Sequence, residues 1–194
     1  GLGRRVDAAR RSWIPDGPFF SMLGPASMSA QVAFLHALDD GSPYLVPASA
    51  AENLVMLRDR GVRVAKGSPQ QWRAVLDKAR RAGERLPALD IIQSAGSPIA
   101  PALAVELESW FGSEVRVLYG ATEAGTVAVG SSVAPGGPVG RVLPHATVEI
   151  VDEQGRVLPD GIEGEVRVRT DGHALGYLGA GDAHGVALAD GWFR

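Results

Sequence analysis

The 194-residue chain contains no cysteine. That absence excludes a disulfide scaffold, a thiolate zinc site and a cysteine nucleophile. No apolar run approaches the roughly 20 residues needed to cross a bilayer. The opening Gly1-Leu2-Gly3-Arg4-Arg5 is not followed by the apolar stretch of a secretion signal. A cytoplasmic protein without a transmembrane segment is therefore expected. An excess of one charge sign is lacking too: 19 Lys and Arg stand against 22 Asp and Glu, a net charge of −3. Nucleic-acid binding driven by bulk charge is thereby disfavoured, and Arg4, Arg5, Arg10 and Arg11 read as a solvated helix face. No serine sits in a G-x-S-x-G elbow, so hydrolase chemistry has no support. His36, His145, His173 and His184 share no metal-ligand spacing on one helix face, and no zinc site is expected.

Glycine and proline, by contrast, are abundant at 25 and 13 residues. They sit in turn clusters rather than repeats, which sets aside collagen and low-complexity readings. With 45% hydrophobic and 21% charged residues the composition is globular. The length suits one large domain or a compact domain with a smaller appendage.

Punctuation divides the chain into two grammars. Over residues 1–128 short apolar runs alternate with amphipathic helices. Strands are expected at Phe19 to Leu23, Tyr44 to Val46, Val62 to Ala65, Leu89 to Gln93 and Val115 to Tyr119. Between them, Ser27 caps a helix ended by Gly41, and Ser49 with Glu52 reads as a capping box before a helix ended by Gly61. Ser68 with Gln71 reads as a second box, with Pro69 at the first helical position and Gly83 as the stop. Pro101 to Phe111 is a further helix. Repeated strand–helix–strand units call for right-handed crossovers and a mainly parallel sheet with flanking helices, an α/β layer. Gly125 to Pro138 reads as a loop. Residues 129–194 then carry strand and turn signals without helix, Glu165 to Arg169 alternating strictly, which predicts a smaller β-rich module.

Ligands of an open parallel sheet bind beyond the carboxyl ends of its strands. Two segments fall there. Ser94, Ala95, Gly96, Ser97 and Pro98 offer small side chains that let a planar ring approach. Tyr119, Gly120, Ala121, Thr122 and Glu123 offer an aromatic face, a hydroxyl and a carboxylate. A base could stack on Tyr119, Thr122 could donate to a phosphate, and Glu123 could hold magnesium through oxygen. Each loop alone could be a plain turn; two on neighbouring strand ends favour a nucleotide site. Trp13, Trp72, Trp110 and Trp192 read as core or interface anchors.

These residues resemble a known family. Tyr119-Gly120-Ala121-Thr122-Glu123 is similar to the YGxTE motif of the AMP-forming adenylating enzymes, which include acyl-CoA synthetases, peptide-synthetase adenylation domains and luciferases. Ser94 to Pro98 resembles their SGGAPL-type adenine loop. Gly137-Pro138-Val139-Gly140-Arg141 with Pro144 resembles GxVGRPLPG, and Gly164-Glu165-Val166 followed by Gly176-Tyr177-Leu178 resembles GEL…GYL. Asp190-Gly191-Trp192-Phe193-Arg194 resembles the start of DGWFRTGD.

The resemblance implies an AMP-forming acid–thiol ligase, in which a carboxylate and ATP give an acyl-adenylate and a thiol of coenzyme A takes the acyl group. It places Tyr119 on adenine with Ser94 to Pro98 opposite, Thr122 at the α-phosphate, Glu123 on Mg2+, and Gly120 and Ala121 beside the acyl pocket. The family's glycine- and threonine-rich phosphate loop, the aspartate of TGD and the C-terminal domain with its lysine are not in the sequence. A central fragment of a longer ligase, inactive alone, is the expectation. Phe19 to Gly24 and the surroundings of Gly120 are apolar and small, with no buried cation evident, which points to a fatty acid or another hydrophobic carboxylate. Two alternatives stand beside this: an acyl-AMP ligase or adenylation domain that serves a carrier protein, and a non-catalytic adenine-nucleotide-binding module.

Overall fold

The computed structural model of the chain describes residues 17–131, 137–178, 188–189 and 191–194. The first part builds a seven-stranded sheet from β1 (Phe19–Ser21), β2 (Tyr44–Leu45), β3 (Val64–Gly67), β4 (Ile91–Ala95), β5 (Val115–Ala121), β6 (Gly125–Gly130) and β7 (Arg141–Val142). Their order is β2-β1-β3-β4-β5-β6-β7. The pairs from β2 to β5 are parallel, and β5–β6 and β6–β7 are antiparallel. Helices α1 (Met28–Asp40), α2 (Asn53–Asp59), α3 (Pro69–Ala82) and α4 (Pro101–Phe111) connect the parallel strands. A smaller sheet follows, with β8 (Ala146–Val151), β9 (Glu165–Thr170), β10 (Leu188–Ala189) and β11 (Trp192–Phe193) in the antiparallel order β10-β11-β9-β8. The expected α/β layer with a β-rich module is the observed architecture.

Residue parity sorts the parallel strands onto two faces. Phe20, Ala65, Ile92 and Val115 point into one core with Leu57 of α2, Trp72 of α3 and Leu107 of α4. Phe19, Val64, Ile91 and Leu118 point into the other, where Val32 and Ala33 of α1 cover them. Strands buried on both faces need no polar alternation, which is why they read as short apolar runs.

Three expectations need correction. The Ser49 box does not form: Ser49 makes no side-chain cap bond, Ala50–Glu52 is a 3-10 turn, and the Glu52 carboxylate accepts from Ala48 N at 3.2 Å. Gly125 to Gly130 is not loop but strand β6, since its backbone pairs with β5 on one side and β7 on the other. Strands β3 and β4 run two residues further than their apolar stretches, because Gly67 pairs with Ser94 and Ser94 with Val117. Ladder pairing on both sides, not hydrophobicity, sets those ends.

The Ser68 box is present. Ser68 Oγ accepts from Gln71 N at 3.3 Å, and Gln71 Oε1 accepts from Ser68 N at 2.8 Å. Gln71 Nε2 also donates to Met22 O at 2.7 Å, tying the start of α3 to the chain leaving β1. Replacing Ser68 with Ala is expected to lower stability by about 1 kcal/mol, read as a shifted midpoint in chemical denaturation with an unchanged slope.

Candidate functional site

The carboxyl ends of β4 and β5 carry the two segments singled out above. Strand β5 turns back through Thr122, Glu123 and Ala124 into β6, so the Tyr119–Glu123 stretch is a hairpin rather than a strand-to-helix loop. The ladder shifts register between Tyr119 and Gly120. A Cβ at residue 120 would overlap the Gly125 carbonyl oxygen and lie 2.9 Å from Thr126 Cα, so this crossing requires glycine. Gly125 has φ of 83°, the left-handed region that closes the turn.

Gly96, Ser97 and Pro98 face Tyr119 and Gly120 across a cavity of about 380 Å³, which Gly137, Pro138 and Val139 also border. Tyr119 is 39% exposed, one of several large apolar residues that reach the surface, and it lies on this cavity. Gly96 has φ of 90°, which bends the chain sharply out of β4. Ser94 and Ala95 are not in that cavity. Both are buried in β4, and the Ser94 hydroxyl has no hydrogen-bond partner. The cavity thus unites Gly96, Ser97, Pro98, Tyr119 and Gly120, while Ala121, Thr122 and Glu123 follow in the hairpin and its turn.

The end of β9 and the segment that follows it grip that turn. Thr170 Oγ1 donates to Ala124 O at 2.9 Å, and Ala174 N donates to Glu123 O at 2.7 Å. The Tyr177 hydroxyl donates to Glu123 Oε1 at 2.7 Å, and that contact raises the phenol's pKa above its ordinary value. Sequence reasoning gave Tyr177 no role, although it lay in a quoted motif; only the fold brings two residues 54 positions apart together.

On the α1 face, the sheet carries a polar row just before these strand ends. Ser21, Lys66 and Gln93 are each fully buried and lie in register, with Arg116 next along. Lys66 Nζ donates to Ser29 Oγ in the first turn of α1 at 3.0 Å and lies 5.8 Å from the Phe19 ring centroid. Burial pushes the Lys66 ammonium down to about 7. The expectation of no buried cation near the Phe19 to Gly24 segment is therefore corrected. A lone lysine in an apolar run, Val64-Ala65-Lys66-Gly67, carried the signal: its neighbours' burial on both faces leaves it no route to solvent.

His36 is buried on α1, His145 Nε2 is 3.0 Å from Thr126 O, and His173 Nδ1 is 2.6 Å from Thr170 O. Among the described residues no three His, Asp or Glu side chains gather as a metal site. His184, Trp13 and the four N-terminal arginines lie outside the described residues. No described helix is long and apolar enough to cross a membrane.

A model of the AMP-binding enzyme family matches residues 11–178. The chain belongs to this family. It is 30% identical over 153 residues to a fatty acid–[acyl-carrier-protein] ligase of Streptomyces coeruleorubidus, covering 75% of this chain and 30% of that protein. It is 32% identical over 142 residues to a mitochondrial acyl-coenzyme A synthetase of Rattus norvegicus, covering 70% of this chain and 23% of that one. A benzoate CoA ligase from Burkholderia xenovorans shares the fold, with a TM-score of 0.82 at 21% identity over all of this chain and 41% of its own. The chain therefore spans less than half the length of these relatives.

Within an AMP-binding enzyme, a single carboxylate such as Glu123 suits magnesium, which keeps waters and takes one or two carboxylates plus substrate phosphates. Its half-buried place on the turn leaves the side chain at the rim rather than in the core.

Two outcomes follow from this geometry. Gly120→Ala forces backbone apart and is expected to cost about 1–3 kcal/mol and to weaken nucleotide binding, measured by thermal denaturation with and without AMP. For Lys66, the folded pKa lies below the unfolded value near 10.4, so the stability cost is full below pH 7. It is relieved as pH rises from about 7 to about 10.4, where the unfolded chain binds the extra proton. Stability should climb there by up to about 1.4 kcal/mol per pH unit, and Lys66→Met should remove that slope in denaturation curves compared with the parent.

Proposed function

We propose that the protein of which this chain forms part activates a carboxylic acid with an apolar body through an acyl-adenylate. The carboxylate oxygen attacks the α-phosphorus of ATP, forming the acyl–phosphate bond as the bond to pyrophosphate breaks. A thiolate then attacks the acyl carbon, forming a thioester and releasing AMP. Coenzyme A is the proposed acceptor; a carrier-protein thiol would enter by the same chemistry. The observation that carries this reading is the open Tyr119 face opposite Gly96, Ser97 and Pro98, with Thr122 and Glu123 in the turn that follows.

In this reading adenine lies in the cavity, stacked on Tyr119 with the Gly96–Pro98 backbone on its other side. Ser94 and Ala95 support that loop from within β4 instead of touching the base. Thr122 donates to the α-phosphate, where negative charge grows as the displacement proceeds. Gly120 and Ala121 leave room beside the reacting carboxylate. Mg2+, when bound at Glu123, supplies neutralising charge for the phosphates. Tyr177 holds the Glu123 carboxylate in place before the nucleotide arrives. The nucleotide donors that the sequence lacks make the isolated chain slow in adenylation.

The test is Glu123→Gln in the full-length ligase. The amide keeps the shape and still accepts from Tyr177, but its charge is gone. Adenylation is expected to slow by roughly 10²-fold or more, while thiol transfer from a preformed acyl-adenylate, which needs no triphosphate, changes little. Single-turnover measurement of both half-reactions decides; equal slowing of the two, or none in the first, would sink the metal-ligand assignment.

A further inference from the structure

The turn that carries Glu123 is gripped at three points, and the grip bears on how its carboxylate can meet a cation. The Glu123 carbonyl oxygen accepts from Ala174 N at 2.7 Å, and the next carbonyl, of Ala124, accepts from the Thr170 hydroxyl at 2.9 Å. The side chain is held separately: Glu123 Oε1 accepts from the Tyr177 hydroxyl at 2.7 Å. That contact raises the Tyr177 pKa above its ordinary value, so near neutral pH the phenol stays protonated. It donates to the carboxylate and does not itself ligate as a phenolate. Anchored backbone and an anchored oxygen together hold the carboxylate in a set orientation on the turn.

Divalent cations differ in what they ask of such a group. Mg2+ takes near-ideal octahedral geometry at about 2.0–2.1 Å and keeps several waters or phosphate oxygens beside one or two carboxylates. Ca2+ takes about six to eight oxygens at about 2.3–2.6 Å, tolerates flexible geometry and accepts carboxylates through both oxygens. With the phenol hydrogen on Oε1, a cation that draws both oxygens of Glu123 must share or displace that hydrogen. A cation that takes a single oxygen leaves the bond intact. Among the described residues no three His, Asp or Glu side chains gather to complete a larger shell. Both features suit the smaller ion.

We infer that Tyr177 is a positioning residue that limits Glu123 to one-oxygen ligation and thereby selects Mg2+ over Ca2+ at the nucleotide. This rests on the reading of Glu123 as a metal ligand and goes beyond it, since that reading alone is indifferent to which divalent ion arrives. A partner that orients a metal-ligating side chain typically accounts for about 10–100-fold in metal affinity. Here the effect falls on the ion whose narrow geometry depends on the orientation. Loss of the hydroxyl lets the carboxylate turn and offer both oxygens, which weakens Mg2+ and favours Ca2+.

The experiment titrates α,β-methylene-ATP into the full-length ligase by calorimetry, with saturating Mg2+ or saturating Ca2+. It compares the parent with Tyr177→Phe, Tyr177→Leu, Thr170→Val and Glu123→Gln. The parent is expected to bind the Mg2+ complex more tightly, and both Tyr177 variants to lower the Ca2+-to-Mg2+ ratio of dissociation constants by roughly 10-fold or more. Tyr177 is half-buried, so neither substitution empties a core position. Thr170→Val loosens the same turn without touching the carboxylate and should leave the ratio unchanged. A parent without preference for Mg2+, a ratio that survives either Tyr177 substitution, or an equal fall in Thr170→Val would overturn the assignment. If Glu123→Gln binds the Mg2+ complex as the parent does, the metal-ligand reading itself fails. If Glu123→Gln weakens that complex while Tyr177→Phe keeps the ratio, only the role of Tyr177 fails.

Discussion

Backbone meets backbone at Gly120, and the arrangement of the site depends on that contact. Any Cβ there would run into the Gly125 carbonyl and the Thr126 Cα. Because the strands of the hairpin close so tightly, the ladder slips by a residue between Tyr119 and Gly120. A slip of this kind re-aims the side chains on either side of it. Leu118 stays in the core under α1, Tyr119 opens onto the cavity, and the hydroxyl and carboxylate of Thr122 and Glu123 fall on the turn. A strictly regular hairpin of the same sequence would keep the alternation and lose this change of direction.

A tight turn at a sheet edge is ordinarily among the more mobile parts of a fold. Here it is held from outside its own sheet. The hydroxyl of Thr170, the backbone of Ala174 and the phenol of Tyr177 all reach Glu123 or Ala124. The smaller sheet, with the segment that leaves β9, is in this sense a clamp on the turn rather than an appendage. Glu149 and Arg167, paired across β8 and β9, and Trp192, whose ring lies under the Arg167 and Arg169 guanidinium groups at 4.6 and 4.7 Å, keep the clamp in shape. Functional groups on a preorganised turn spend less ordering entropy when a ligand arrives.

Local chemistry was legible in the sequence wherever it is decided within a few residues. Ser68, Pro69 and Gln71 form their cap as read, Gly41 and Gly83 end helices in the left-handed conformation, and α4 spans Pro101 to Phe111 as expected. Features decided by long-range pairing were not legible. Ser94 and Ala95 look like loop residues and are strand because Gly67 and Val117 lie beside Ser94; Gly125 to Gly130 looks like loop and is strand because β5 and β7 flank it. Ser49 and Glu52 satisfy the spacing of a capping box, but the carboxylate finds the Ala48 amide instead. The Tyr177–Glu123 bond and the burial of Lys66 have the same origin, since no local pattern reports which distant elements will meet.

A parallel sheet covered by helices on both faces offers a ligand two different surfaces along one strand end, one for odd and one for even residues. On β4 and β5 the two differ in chemistry. Their α4 side ends in an apolar and glycine-rich opening suited to a flat ring, and their α1 side carries amide and cations sunk below the first turn of a helix. Burying Lys66 in such a place lowers stability, and a hydrophobic residue of similar volume would pack there without that cost. Nothing in the layering of the sheet calls for a cation: the next residues outward on the same face, Ala95 and Leu118, are apolar and complete the α1 core. In place of a packing role the cation has polar company: Lys66 Nζ donates to Ser29 Oγ at 3.0 Å and lies in register with Ser21 and Gln93.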